Sequence, residues 1–334
     1  MAEESDGTFN ELKSMVTDYA KQETVDPLKN LGKWAGLGVA GAVMMMIGGL
    51  LLGLGVLRLF QKINDKLLVA VSGGKDSLAI WHILHNLGYD VDGLYIGLGI
   101  GDYSEPSGQF AKTFADEHGL NLVVVDITEE YGYDIPNGSR AAKRAPCSAC
   151  GMSKRHIFDR VAVEGGYDVL VTGHNLDDEA AVLFGNVLHW QTDYLARQHP
   201  VLPERNGLPR KVKPLVRLDE REMAAYCVIT GIDYILDECP MAVGNKHIRY
   251  KDALNEIELA SPGSKAAFFH KFLSQGAPFF QEAAEELRDG LNPCETCGQP
   301  TPNDVCAFCR LVERAGGQPV PVELTASPKV SGST

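Results

Sequence analysis

Residues 67–81 read Leu67-Leu68-Val69-Ala70-Val71-Ser72-Gly73-Gly74-Lys75-Asp76-Ser77-Leu78-Ala79-Ile80-Trp81. The apolar run predicts a buried strand, the two glycines a tight turn, and the residues from Asp76 onward a helix. Gly73 and Gly74 let bare backbone N–H groups close on an anion, and the helix N-terminus adds its dipole. Ser72, Lys75 and Ser77 supply hydroxyl donors and charge. The turn therefore reads as a pyrophosphate cradle. A Walker A loop needs four residues between its first glycine and Gly-Lys-Ser/Thr, which this turn lacks, so the usual kinase or GTPase reading is disfavoured.

The pattern continues outward from this turn. Apolar and β-branched runs near 67–71, 91–96, 121–126, 168–173 and 232–236 alternate with amphipathic stretches near 76–87, 107–119, 151–165, 177–190 and 219–230. Such alternation predicts an α/β fold with a doubly wound parallel sheet. Ligands of such sheets bind beyond the carboxyl ends of the strands, where the 72–77 turn falls. Gly97-x-Gly99-x-Gly101 lacks the third-glycine spacing of a dinucleotide fingerprint and reads as a loop passing backbone close to the nucleotide. Further helices are expected near 249–260, 264–275 and 278–289. The expected organisation is a polar helix with an apolar segment over 1–65 and a nucleotide-binding domain over 66–245. A helical extension over 246–290, a cysteine ribbon over 291–315 and a Pro/Gly/Ser-rich tail over 316–334 complete it.

A second motif, Thr172-Gly173-His174-Asn175-Leu176-Asp177-Asp178, closes the fourth expected strand and opens a helix, so it faces the same crevice. Asp177 and Asp178 are hard oxygen donors suited to Mg²⁺ on ATP phosphates, with His174 and Asn175 orienting them. A plainer account is available, since aspartate at a helix start is a favourable cap.

The chain has eight cysteines. Cys294-x-x-Cys297 and Cys306-x-x-Cys309 have the two-pair spacing that wraps a tetrahedral Zn²⁺. Two disulfides are the competing reading, but a chain that uses ATP works in a reducing cytosol where disulfides do not persist. Cys147-Ser148-Ala149-Cys150 opens the helix that carries Lys154 and Arg155, a setting expected to lower thiol pKa. Cys239, in Asp237-Glu238-Cys239-Pro240, follows the last expected strand and returns to the same edge of the sheet. Three converging thiolates without a fourth partner suggest either a [4Fe–4S] cluster with one open iron or a redox trio that handles sulfur as a persulfide. Cys227 lies on an apolar helix stripe and reads as core.

Composition sets the outer limits. The 334 residues, 45% hydrophobic and 22% charged, suffice for one full core with smaller modules attached. Lysine and arginine number 31 against 44 acidic residues, for a net charge of −13, so bulk charge does not announce a nucleic-acid binder. Local basic tracks remain: Arg140, Lys143 and Arg144; Lys154, Arg155 and Arg160; Arg205, Arg210, Lys211, Lys213 and Arg217. They suit phosphates or are plain solvated surface. From Trp34 to Leu57, 24 residues carry no charge, long enough for a membrane-spanning helix, with a buried core helix as the alternative. Lys21, Lys29 and Lys33 balance Arg58, Lys62 and Lys66 across that run, so flanking charge does not orient it. If the run spans, the nucleotide-binding side faces the cytoplasm.

Taken together, Ser72–Ser77, Cys147-Ser148-Ala149-Cys150-Gly151, Gly173–Asp178, Glu238-Cys239-Pro240 and the terminal cysteine ribbon resemble the PP-loop tRNA 2-thiolation enzymes, most nearly those acting on ribothymidine. The likeness covers residues 66 to about 315. It implies a PP-loop ATP pyrophosphatase fold, similar to adenine nucleotide α-hydrolases. It also implies that Ser72, Gly73, Gly74, Lys75, Asp76 and Ser77, with Gly173, His174, Asn175 and Asp177, hold ATP and Mg²⁺. Lys154 and Asp178 then serve the activated nucleotide, Cys147, Cys150 and Cys239 ligate a [4Fe–4S] cluster, and the four ribbon cysteines hold zinc. The implied partners are tRNA, a ubiquitin-like thiocarboxylate sulfur carrier and a second copy of the chain as a homodimer. Enzymes of this type begin with another zinc module, whereas all cysteines here follow residue 146. Residues 1 to about 60 resemble small actinobacterial holin-like membrane proteins instead, implying a cytoplasmic catalytic domain tethered to the inner face of the membrane. The rivals are another PP-loop adenylating enzyme and a membrane-tethered nucleotide-binding scaffold; the first covers a wobble-uridine or cytidine thiolase, and a tRNA lysidine synthetase or amidotransferase-type synthetase, which need no cysteine trio.

Overall fold

The computed structural model describes residues 65–280 and 291–322, all within one unit, Ile63–Thr334. The apolar run forms β1 (Lys66–Val71), the turn follows, and α1 (Lys75–Asn86) leads to β2 (Asp90–Gly97). Next come α2 (Gly101–His118), β3 (Leu122–Asp126), α3 (Ile127–Tyr131), α4 (Ile135–Ala141) and α5 (Pro146–Glu164). The sheet resumes with β4 (Val169–Thr172), α6 (Leu176–Leu188), the short α7 (Thr192–Leu195), β5 (Val201–Leu202) and β6 (Arg210–Val212). Helices α8 (Glu220–Thr230), α9 (Lys246–Ala260) and α10 (Ser264–Lys271) follow. A two-stranded hairpin of β7 (Asn292–Pro293) and β8 (Pro300–Thr301) precedes α11 (Ala307–Arg314).

The large sheet has the order β3-β2-β1-β4-β6-β5, parallel except for β5 against β6. Its alternation splits the core in two. Leu68 packs with Leu94, Ile96 and Leu170 on one face, while Leu67, Val69 and Val71 join Trp81, Phe114 and Val171 on the other. Each such side chain contributes about 1.5–3 kcal/mol through burial, enough to hold the central strands in register. Ala70 pairs with Thr172 across β1 and β4, so the loops leaving these strands emerge side by side. The order reverses at β1, between β2 and β4, which places the crevice there.

Several expectations change. Residues 232–236 are not a strand; they run alongside the phosphate loop, where the Ile235 N–H donates to the Gly73 carbonyl at 3.0 Å. The sheet position beyond β4 goes to β6, three residues long and carrying Arg210 and Lys211. Helix α2 starts at Gly101 rather than 107, with Pro106 inside it. In the Gly97–Gly101 loop the Leu98 carbonyl accepts from the Ile135 N–H at 3.1 Å. The helix expected over 264–275 ends at Lys271 and continues as a π turn over Phe272–Gly276. Most of the 278–289 helix and all of the apolar 34–57 run lie outside the described residues. Among the described residues, no helix is long and apolar enough to cross a membrane.

Candidate active site

The phosphate loop is fixed by its own hydroxyls. Ser77 Oγ donates to the Gly74 carbonyl at 2.8 Å and accepts from the Ser72 N–H at 3.1 Å, with Ser72 Oγ 3.3 Å away. Gly73 has φ +73° and no room for a side chain, because a Cβ would overlap the Ser107 carbonyl. At Gly173 a Cβ would lie 2.9 Å from the Asp76 carbonyl, so only glycine lets the end of β4 close on the loop. Between these walls lies a cavity of about 280 Å³ bordered by Ser72, Asp76, Ser77, Gly173, His174 and Asp178, with Lys154 at its edge.

Charge is distributed differently from the sequence expectation. Asn175 caps α6 reciprocally with Asp178, and its Nδ2 donates to Asp76 Oδ1 at 3.2 Å, joining the two motifs. Asp178 lines the cavity and is 2.6 Å from Lys251 Nζ. Burial alone would raise the Asp178 carboxyl, but Lys251 outweighs it and holds the group below the usual carboxylate range. Asp177, expected beside it on the phosphates, is turned away. Its carboxylate accepts from the Glu220 N–H at 2.8 Å and pairs with the buried ammonium of Lys265. Successive helix residues point about 100° apart, so the two aspartates cannot share one face of α6. Lys75 does not border the cavity either; its ammonium is held by Glu220 at 2.7 Å and Asp76 at 3.2 Å. Burial opposes this charge, yet Glu220 and Asp76 raise the Lys75 pKa above its ordinary value. Burial raises Asp76 against the pull of Lys75, and it lowers His174, whose Nδ1 meets Thr172 Oγ1 at 2.8 Å.

The thiols gather at the neighbouring edge. Cys147 and Cys150 lie in the first turns of α5, and Cys239 precedes a 3₁₀ turn over Pro240–Ala242. The Met241 carbonyl, 3.5 Å from Cys147 Sγ, ties that turn to α5, and Asn245 Nδ2 donates to the same sulfur at 3.6 Å. Partial desolvation, then Cys150 and Cys239, push the Cys147 thiol up, with Lys154 opposing. At Cys147 this corrects the expectation of a low-pKa thiol: desolvation, with Cys150 and Cys239 adding to it, outweighs the Lys154 charge. Tyr103 joins patch to cavity, since it borders the cavity and its hydroxyl is raised by desolvation, then by Cys239 and Cys150.

The ribbon cysteines form a tighter set. Cys294, Cys297, Cys306 and Cys309 are all buried, with sulfurs within 4.8 Å of one another. Among the described residues this is the one group of three or more such ligands gathered so closely. None of the eight cysteines is in a disulfide. The N–H of Cys306 points at Cys294 Sγ at 3.2 Å and that of Cys309 at Cys306 Sγ at 3.3 Å, so the cradle favours thiolate at Cys294 and Cys306. Hydrogen bonding by Cys297 and then Cys309 drives the Cys306 thiol down. Such spacing fits one tetrahedral ion. The Cys147, Cys150 and Cys239 trio is looser, and a four-iron cube presents its corners farther apart than a single ion does. The ribbon docks on α5 around His156: Gln299 Nε2 donates to the His156 carbonyl at 2.9 Å, and Phe308 stacks on the His156 ring at 3.8 Å. Cys227 is fully buried core, its thiol pushed up to about 11 by desolvation.

The basic tracks separate into two sets. Arg160 pairs with Glu130, Arg210 with Asp65, Lys211 with Asp159 and Lys213 with Glu179. Lys143, Arg144, Lys154 and Arg155, which surround the Cys147 pair in sequence, form no ion pair among the described residues. Residues that the sequence reading missed are Tyr103, Ser107 and Phe158 on the cavity wall, and Glu220 and Lys251 in the charge network. Only Glu220 had a local signal, as the first residue after the Asp219 cap.

Comparison with known proteins agrees with this geometry. A PP-loop domain model matches residues 56–251. The chain is 52% identical over 248 residues to the tRNA-5-methyluridine(54) 2-sulfurtransferase of Thermus thermophilus, covering 74% of this chain and 76% of that protein. It is 43% identical to the enzyme of the same name from Pyrococcus horikoshii, covering 74% and 78%. Among solved structures, the U34-tRNA thiolase NcsA from Methanococcus maripaludis, determined with its [4Fe-4S] cluster, superposes with a TM-score of 0.63. That match has 25% identity and covers 78% of this chain and 84% of NcsA. A phosphate loop, a thiol patch on its rim and these matches over three quarters of the sequence lead to one assignment: the chain belongs to the PP-loop tRNA 2-thiolation family.

Proposed function

We propose that the chain is an ATP-dependent tRNA 2-sulfurtransferase acting on 5-methyluridine 54, the substrate in the names of its relatives. The observation that carries this reading is the shared wall of cavity and thiol patch. Lys154 and Tyr103 border the nucleotide cavity, Lys154 sits one turn beyond Cys150 on α5, and Tyr103 neighbours Cys239 and Cys150. A site that only bound nucleotide would have no use for three thiols there.

The chemistry follows from the leaving group. A pyrimidine C2 oxygen departs poorly, so it first attacks the α-phosphorus of ATP, and the bond to pyrophosphate breaks. Hydrosulfide sulfur then attacks C2, the C2–O bond breaks with AMP as leaving group, and the sulfur loses its proton. Ser72 to Ser77 cradle the phosphates, Asp178 holds Mg²⁺ or the activated nucleotide, and Lys154 neutralises charge on the phosphate being transferred. Asn175 positions Asp178 and Asp76, while His174, held by Thr172, borders the phosphates. Lys75, released from Glu220, turns to the phosphates. Cys147, Cys150 and Cys239 would hold a [4Fe–4S] cluster, which when bound offers an open iron for sulfur. Cys294, Cys297, Cys306 and Cys309 would hold a structural Zn²⁺. The sulfur donor expected from the family likeness is a ubiquitin-like thiocarboxylate protein, and the expected assembly is a homodimer. Membrane attachment through residues 34–57 rests on the length of the apolar run alone, and extraction of membranes with alkaline carbonate tests it.

The function is tested by incubating the anaerobically purified chain with tRNA, ATP and sulfide. Pyrophosphate release that depends on tRNA, with a 2-thionucleoside in the digest, is the expected result. Pyrophosphate release without thiolation would favour another adenylating enzyme, and neither product would favour a scaffold.

A further inference from the structure

The short connection after α6 has an unusual surface. Trp190 is 72% exposed with a positive φ of 47°, a backbone state that bulky residues rarely occupy. Tyr194 is 57% exposed, and the Arg197 guanidinium lies 5.3 Å from its ring centroid. Neither aromatic serves the core. The segment is nonetheless ordered: Gln191 N–H donates to the Asn186 carbonyl at 2.9 Å, and Tyr194 N–H to the Gln191 carbonyl at 3.0 Å.

This surface reaches the thiol edge through Arg155. The Arg155 guanidinium folds over Gly151, its Nη1 lying 3.2 Å from where a Cβ on that glycine would sit, directly after Cys150. Tyr194, Arg197 and Cys150 are all electrostatic neighbours of Arg155. Among the described residues, Lys143 and Arg144, exposed just before Cys147, form no ion pair, and neither does Arg155, whose one acidic electrostatic neighbour, Asp159, is already paired with Lys211. In a chain of net charge −13, the basic side chains elsewhere in the sheet are mostly neutralised by carboxylates, whereas those beside the thiols are left available. Unpaired cations next to exposed aromatic faces match one ligand chemistry, phosphates joined to unstacked bases.

We propose that Trp190, Tyr194 and Arg197, together with Arg155, Lys143 and Arg144, form a docking shelf for the tRNA substrate. Tyr194 stacks an extruded base beside the thiol edge, and the cations track the adjoining phosphates. The proposal rests on the tRNA thiolase reading and adds where the RNA enters. A target base buried in a folded tRNA must leave its stack to reach the cavity, and an aromatic shelf at the rim offsets the lost stacking.

The test is fluorescence anisotropy of labelled tRNA with the full chain at several salt concentrations. Tyr194→Ala should weaken binding roughly 5- to 50-fold, while Tyr194→Phe, which keeps the ring, stays within about twofold of wild type. The double variant Lys143→Ala/Arg144→Ala should lower the slope of log affinity against log salt by about two. Thermal melting, ATP affinity and metal content should match wild type in all variants. Wild-type affinity in Tyr194→Ala, equal losses in Tyr194→Ala and Tyr194→Phe, or an unchanged salt slope in the double variant would overturn the shelf. If wild type thiolates tRNA while Tyr194→Ala binds as tightly, only the shelf falls; if wild type itself neither binds nor thiolates tRNA, the parent reading falls with it.

Discussion

Asp178 keeps its charge where burial would remove it, and a residue 73 positions further on is responsible. Lys251, on α9, reaches 2.6 Å from the Asp178 carboxylate and 3.5 Å from Glu220, which in turn holds Lys75. A charge-assisted contact of this kind is worth about 2 kcal/mol, so Lys251→Met should lower kcat/KM roughly 10- to 30-fold, with partial recovery in Lys251→Arg. Steady-state pyrophosphate release measures it. The same pairs make a pH prediction. Asp178 and Glu220 are both held below their ordinary values of 3.8 and 4.5, so their stabilisation is complete above those values. It is lost as pH falls through the lower folded values. The difference in melting temperature between wild type and Lys251→Met should therefore be widest near neutrality and close below about pH 4. The Asp178 position was legible because it follows Gly-His-Asn at a strand end. Lys251 was not, because a lysine on an amphipathic helix has the same pattern as solvated surface until α9 is seen against α6.

At the scale of elements, the site depends on how closely two loops approach. Gly173→Ala places a methyl 2.9 Å from the Asp76 carbonyl, and overpacking of this order costs about 1–3 kcal/mol. The expected result is a raised KM for ATP with a modest drop in melting temperature. Helix α5 carries Cys147 and Cys150 at its start, Lys154 one turn on, and His156 against the ribbon. Removing metal from the four ribbon cysteines should free Gln299 and Phe308 from His156 and loosen α5. Zinc-selective chelation is then expected to lower the melting temperature and hasten iron loss from a cluster-loaded sample, followed by its visible absorbance. Strand β1, the phosphate loop and α1 were readable because apolar run, glycine turn and helix follow one another within 15 residues. Strand β6 was not, since three residues with two charges carry no period, while the 232–236 segment looked like a strand yet buries only Ile232 and Ile235 and runs along the phosphate loop.

At the scale of the molecule, the sheet gathers motifs that are distant in sequence. The loops after β1 and β4 emerge together because Ala70 and Thr172 are paired, and α5 returns its first turns to the same rim. Cys239 arrives there by way of the segment that hydrogen-bonds Gly73, so the nucleotide loop and the third thiol share one support. The alternation of strands and helices made this architecture readable in advance. The division between paired and unpaired cations was not, because it depends on carboxylates such as Asp159 and Glu179 brought in from other elements.

We propose that one crevice both activates a tRNA pyrimidine with ATP and replaces its oxygen with sulfur through Cys147, Cys150 and Cys239. The most direct measurement is mass spectrometry of nucleosides from tRNA treated with wild type or Cys239→Ser, anaerobically, with ATP and sulfide. Wild type should yield 2-thio-5-methyluridine and Cys239→Ser essentially none, with ATP binding retained in both. Full thiolation by Cys239→Ser would show that sulfur reaches the base without the Cys147, Cys150 and Cys239 trio.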